Sequence, residues 1–164
     1  MSAYITLVTP MTDRQCLLDA LADLGFDAAK VEAHAEAVAL EGFRGDRREQ
    51  RAHVVIRRRH LGSASNDLGF LATPTGHQLI VSDYDRHKFG DAWVKKLAER
   101  YSHHRRVQEE RAAEQERLRI EEERRALVET QRQTIHERAK KLGYRVEESR
   151  EGDKLRLVLV RRVY

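Results

Sequence analysis

Hydrophobic and polar positions divide the chain into patterned stretches and one unpatterned one. Ala3-Tyr4-Ile5-Thr6-Leu7-Val8 is short, β-branched and aromatic and stops at Pro10, which predicts a first strand. Leu17, Leu18, Leu21 and Leu24 then recur at helical spacing behind a Thr12/Gln15 capping-box pattern. Gly25 suits the left-handed residue that ends such a helix, with Phe26 packing back over the last turn. Between 27 and 43 the signals conflict: the alanines favour helix, while Val31, Ala33, Ala35 and Ala37 alternate with polar neighbours as in a strand. The balance leans to strand near the end of the stretch, and the choice stays open. After the turn Gly42-Phe43-Arg44-Gly45-Asp46, the run His53-Val54-Val55-Ile56 reads as a strand continuing through Arg57-Arg58-Arg59. Leu68–Leu71 and His77–Val81 flank Thr73-Pro74-Thr75-Gly76, the chemistry of a short hairpin connection, so a meander is expected.

From Asp91 to Leu142 there is neither glycine nor proline, and Asp91 stands where a helix cap belongs. One long helix follows. Trp93, Val94, Leu97 and Tyr101 make its first turns amphipathic, but 103–125 carries only Val107, Leu118 and Ile120 as large aliphatics among arginines and glutamates. Glu114/Arg117, Glu116/Arg119, Arg117/Glu121, Arg119/Glu123 and Glu121/Arg125 fall at i,i+3 or i,i+4, which supports a helix with little tertiary packing. A helix of this length must project or bend near Ser102-His103-His104. Val128, Ile135 and Leu142 then recur at a spacing of seven before Gly143, a face suited to a partner or to a second copy. The segments starting at Tyr144 and Lys154 are strands joined at Glu151-Gly152-Asp153. The second is apolar on both faces from Leu157 to Val160, as an internal strand is. The expected fold is α+β: a small antiparallel sheet packed with helices and completed by the C-terminal hairpin, over 1–101 with 143–164. Residues 102–142 form a long charged helical arm.

Composition agrees with that division. Of 164 residues 40% are hydrophobic and 35% charged, so part of the chain lies outside a core. No apolar run is long enough to span a membrane and the start lacks a secretory pattern, which places the expected protein in the cytoplasm, with no membrane partner. The one cysteine, Cys16, excludes an internal disulfide or a cysteine-built zinc site. Net charge is +4, which permits acidic partners without requiring them.

An ordered set of segments carries a family resemblance: MSAYITLVTPMTDRQCLLDALADLG, GFRGDRREQRAHVVI, DLGF, GHQLIVSDYD, a helix ending LAERY, and AKKLGYRV. Together they resemble the family known from plastids and cyanobacteria as hypothetical chloroplast reading frame thirty-five, a domain of unknown function also found across bacteria. Asp83-Tyr84-Asp85, where such proteins usually carry Trp after the aspartate, and the long charged stretch depart from its pattern. The family has no established activity. Its members are commonly encoded beside AAA+ ATPases, so the resemblance implies an accessory role and a AAA+ ATPase as partner.

Candidate chemistry is sparse. Arg44, Arg47, Arg48, Arg51, Arg57, Arg58 and Arg59, opposed by Asp46 and Glu49, are the densest basic concentration. With Arg105 and Arg106 they form a candidate surface for phosphate or nucleic acid, to be weighed against a solvated charged edge. Strand alternation places Arg57 and Arg59 on one face and Arg58 and His60 on the other. No close His/Cys/carboxylate set suggests a metal, and Asp83 and Asp85 read as turn residues before they read as Mg²⁺ ligands. Nucleophile elbow, P-loop and dinucleotide loop are all missing. The expectation is therefore a non-enzymatic interaction or adaptor protein without cofactor or metal, with a nucleic-acid-binding protein as the alternative.

Overall fold

A computed structural model describes residues 3–161. Elements run β1 (Tyr4–Val8), α1 (Arg14–Asp23), β2 (Val31–Glu41), β3 (Arg47–Ile56), β4 (Leu68–Thr73), β5 (Gly76–Ser82), α2 (Arg86–Phe89), α3 (Asp91–Lys141), β6 (Tyr144–Glu151) and β7 (Lys154–Arg161). The fold is α+β. The chain divides into two compact units, Met1–Glu110 and Arg111–Tyr164. Among the described residues no helix is long and apolar enough to cross a membrane.

The first unit is built on a five-stranded antiparallel sheet in the order β1-β5-β4-β3-β2. One face buries Val54, Ile56, Phe70, Leu79 and Val81 against Leu17 and Leu21 of α1, Phe89 of α2 and Leu97 of α3. Phe26, Phe89 and Trp93 pack edge-on beside them, with Phe89 and Trp93 centroids 5.2 Å apart. A smaller cluster of Leu40, Ala52, Val55 and Ile80 closes the other face under Tyr4. Gly69 makes this possible: a Cβ there would stand 2.5 Å from that of Ala52. β2 carries the strand pattern that Val31 to Ala37 suggested. Its register shift between Ala33 and Val38 places extra residues opposite β3, a bulge that bends the sheet.

Local chemistry fixes the boundaries. α1 is capped by Asp13, whose Oδ1 accepts from the Cys16 amide at 2.8 Å, not by Thr12; Gln15 instead donates to Asp19. The Tyr101 hydroxyl accepts from the amides of Thr12 and Asp13, tying α3 to the start of α1. The helix ends as expected, with Gly25 at φ 94° and the Phe26 amide donating to Leu21. β3 stops at Ile56, and Arg58–His60 is a 3-10 turn, not strand. The reason is that the Arg58 amide donates to the Asp67 carboxylate instead of to a neighbouring strand. The alternation expected of Arg57, Arg58 and Arg59 is lost with it. Asp91 lies inside the first turn of α3; the capping position is Gly90, whose carbonyl accepts from the Val94 amide.

In the second unit the end of α3 packs with β6 and β7. Among the described residues these pair only with each other, as a two-stranded sheet. The hairpin therefore does not complete the five-stranded sheet, and β7 is not internal. Apolar residues on both faces report what a strand can bury, not how many neighbours it has. Leu155, Leu157 and Val160 are half-buried, and Val158 and Leu159 are exposed.

Candidate functional site

The arginine-rich segment resolves into residues held by the fold and residues left to solvent. Asp67 sits at the head of β4 with its side chain fully buried. Its Oδ2 accepts from Arg57 Nη1 at 2.8 Å and from the Glu41 amide at 2.9 Å, while Oδ1 accepts from the Arg58 amide at 2.8 Å. Arg57 closes the network by pairing with Glu32 of β2 at 2.7 Å. The hydrogen bond from Arg57 holds the Glu32 carboxyl below its usual range, with His34 adding to it. Tyr4 points its hydroxyl at the Asp67 and Glu41 carbonyls, and burial raises its phenol well above the ordinary value.

Three more arginines are also committed. Arg51 donates from Nε and Nη2 to the Ala37 carbonyl, filling the bulge in β2. Arg48 pairs with Asp46 at 2.9 Å and lies over the Tyr4 ring. Arg58 donates to the Phe43 carbonyl, closing the turn. That leaves Arg44, stacked on Phe43, and Arg47, neither in an ion pair among the described residues, with Arg59 at 3.9 Å from Glu32. Arg105 is engaged by Asp13 and Glu109, and Arg106 is exposed and unpaired among the described residues. No hydrogen bond or ion pair among those residues links 44–59 to 103–106. The expected basic surface thus shrinks to Arg44, Arg47, Arg59 and Arg106.

A second buried polar group joins the loop before β4 to the turn after β5. Asp85 accepts from the Asn66 amide at 2.9 Å and from the Ser82 hydroxyl at 2.6 Å. Asp85 is thus a turn residue, as the spacing suggested. Among the described residues no group of three or more histidines, cysteines or carboxylates is placed to hold a metal ion. Cys16 is buried, and desolvation pushes its thiol up to about 11.

Over α3, every residue from Gln108 to Gln131 is exposed. Glu114–Arg117, Glu116–Arg119, Arg119–Glu123 and Glu121–Arg125 form as ion pairs; Arg117 turns to Glu114 rather than Glu121. Val128, Ile135 and Leu142 are 42%, 37% and 73% exposed. Arg132 and Ala139 stand between them on the same stripe, at the remaining positions of the 3.5-residue repeat. Ala139 is buried, Arg132 donates to Glu148 of β6 at 2.7 Å, and His136 Nε2 contacts the same carboxylate oxygen. The hydrogen bond from Arg132, then that from His136, lowers the Glu148 carboxyl below its usual range. A shallow recess lined by Glu129, Arg132, Gln133 and His136 adjoins this contact. Sequence spacing singled out the aliphatic members of the stripe and missed the Arg132–Glu148 pair. Its signal was a charge in the middle of a heptad opposite a charge in a strand.

No curated protein and no solved structure gives a significant match to the chain. A family model does match, over residues 20–132, from within α1 through β2–β5 and along α3 as far as Arg132. That span is more than half of the sequence, and it contains both the Glu32–Arg57–Asp67 network and the exposed stretch of α3. The chain belongs to the family described as protein of unknown function (DUF1257).

Proposed function

We propose that this protein is a non-enzymatic interaction or adaptor protein that uses the exposed stretch of α3 as its contact surface. The observation that carries the reading is the exposure of every residue from Gln108 to Gln131 in an unbroken helix. A helix kept in register by its own ion pairs and free of core contacts presents a fixed pattern of charge. The buried polar groups Asp67 and Arg57 support the same reading, since they spend their hydrogen bonds on loops and strand ends. A AAA+ ATPase is the partner class, an assignment that rests on the resemblance to hypothetical chloroplast reading frame thirty-five.

The experiment is ATP turnover and co-sedimentation of a AAA+ ATPase, with the intact protein and with 111–125 deleted. A change in turnover that needs 111–125 is the expected result. Identical behaviour of the two forms removes the exposed stretch from the function. The alternative, nucleic-acid binding, is favoured only by the guanidinium groups of Arg44, Arg47 and Arg106, which are in no ion pair among the described residues. It requires affinity for duplex or single-stranded nucleic acid that falls steeply with salt and disappears in Arg44→Glu/Arg47→Glu.

A further inference from the structure

We propose that β7 is the pairing edge of a symmetric dimer, in which β7 of a second copy lies antiparallel to it and the two hairpins form one four-stranded sheet. Gly152, at φ 61°, and Asp153 make a two-residue turn with glycine first, so Glu151 and Lys154 are the hydrogen-bonded pair beside it. Alternation along the ladder then leaves the amides and carbonyls of Leu155, Leu157 and Leu159 pointing away from β6. This free edge carries no charge from Leu157 to Val160, and Val158 and Leu159 are 41% and 51% exposed. A solvent-facing edge is ordinarily protected by charge, proline or a bulge, and β7 has none of these along its centre.

The occupant follows from the two edges of the hairpin. β6 bears Arg145, Glu147, Glu148, Arg150 and Glu151 on both of its faces, which protects that side and discourages an open β7-to-β6 chain of copies. β7 against β7 sets Leu155, Leu157 and Leu159 against one another and closes after two copies. Opposed residues must share a face and exchange outward hydrogen bonds, so the two-fold axis falls on a residue and not between two; Leu157 is the position that also pairs the charged ends of the strand. Leu155 then faces Leu159 of the other copy, and Arg156 and Lys154 face Val158 and Val160. Arg161 falls opposite Asp153, so the ends of the pairing are complementary in charge. The Arg132–Glu148 contact fixes the face that α3 covers as the one bearing Leu157 and Leu159, so both helices lie on one face of the joined sheet.

The test is sedimentation of the full chain over a concentration series, read beside three changes. The intact protein should be a dimer at roughly 100 µM, and Leu159→Lys should weaken association at least about tenfold, with circular dichroism unchanged. Arg161→Glu should weaken it as well, and adding Asp153→Lys should restore it. Leu142→Glu, on the seven-residue stripe of α3, should leave the dimer intact. A monomeric intact protein, an unaffected Leu159→Lys, a failure of Asp153→Lys to restore Arg161→Glu, or a dimer broken by Leu142→Glu each overturns the β7 edge.

Discussion

Both units are built mostly of regular secondary structure but depend on different forces. In Met1–Glu110, a sheet with apolar clusters on both faces buries Phe70, Leu17, Leu21, Ile56 and Leu97 almost completely. In Arg111–Tyr164 the only described hydrophobic residue buried to that degree is Ala139. A two-stranded hairpin is marginal alone, so this unit relies on its helix, on the Arg132–Glu148 contact and on a few half-buried leucines. The contrast shows that regular hydrogen bonding sets the shape of an element, while burial sets how firmly it is held.

The sharpest way to break that comparison is to remove one large side chain from each unit. Phe70→Ala should cost about 3–5 kcal/mol, because the residue is fully buried and its cavity cannot collapse against the sheet. Ile135→Ala should cost roughly 1 kcal/mol or less, since part of its surface already faces water. Urea unfolding followed by Trp93, the single tryptophan, reports the first unit, and far-ultraviolet circular dichroism adds the second. Cys16 gives an independent reading: with its thiol near 11 and buried, alkylation at neutral pH should follow opening of the first unit. Equal costs for the two substitutions would contradict the contrast.

Next in size is Asp67→Ala, with an expected loss of about 3 kcal/mol. The substitution leaves Arg57 half-paired and strips the Glu41 and Arg58 amides of their acceptor. Arg47→Ala, an exposed member of the same arginine run, should be close to neutral in the same urea assay. The pair of measurements separates arginines that hold the strand ends from those left to solvent.

Acid sharpens the comparison further. Asp13 is held below the ordinary carboxyl value mainly by the Cys16 amide, and Glu32 by Arg57. A depressed folded-state value means stabilisation that is complete above the unfolded carboxyl range and is lost as pH falls through the folded value. Trp93-monitored stability should therefore decline below about pH 4, and Asp13→Asn should flatten part of that decline. Glu148 is shifted in the same direction, but chiefly by the charged Arg132 and not by a backbone amide, so salt should weaken its contribution while leaving that of Asp13 largely in place.

Elements with a single dominant local signal were legible in the chain: the Gly25 stop, the Thr73–Gly76 connection, the glycine-free run of α3 and its ion pairs. The α+β class followed from them. What escaped prediction depended on partners distant in sequence. The strand was read through Arg59 because nothing near it reveals that Asp67 takes the Arg58 amide. The basic run looked like one surface because the Ala37 carbonyl and Glu32, which engage Arg51 and Arg57, lie in a segment whose own structure was ambiguous. The composition of β7 permits an internal strand; among the described residues the one strand that pairs with it is β6.

The smallest expected effect concerns the exposed stretch of α3. Arg119 pairs with Glu116 at 2.7 Å and Glu123 at 3.5 Å, and all three side chains are more than half exposed. Such pairs sit in high dielectric and restrict long side chains, so each is worth only about 0.2–0.5 kcal/mol in an isolated helix. Arg119→Gln keeps helix propensity and removes the charge. Helicity at 222 nm should fall slightly at low salt and by less in about 1 M salt, where the Debye length shortens to roughly 3 Å. Trp93-monitored unfolding should not change, because the ion pairs of Arg119 lie within its own helix. A salt-independent loss of more than about 1 kcal/mol would mean that Arg119 meets a partner beyond its own helix. That outcome would break the contrast between a held sheet and a helix that stabilises itself.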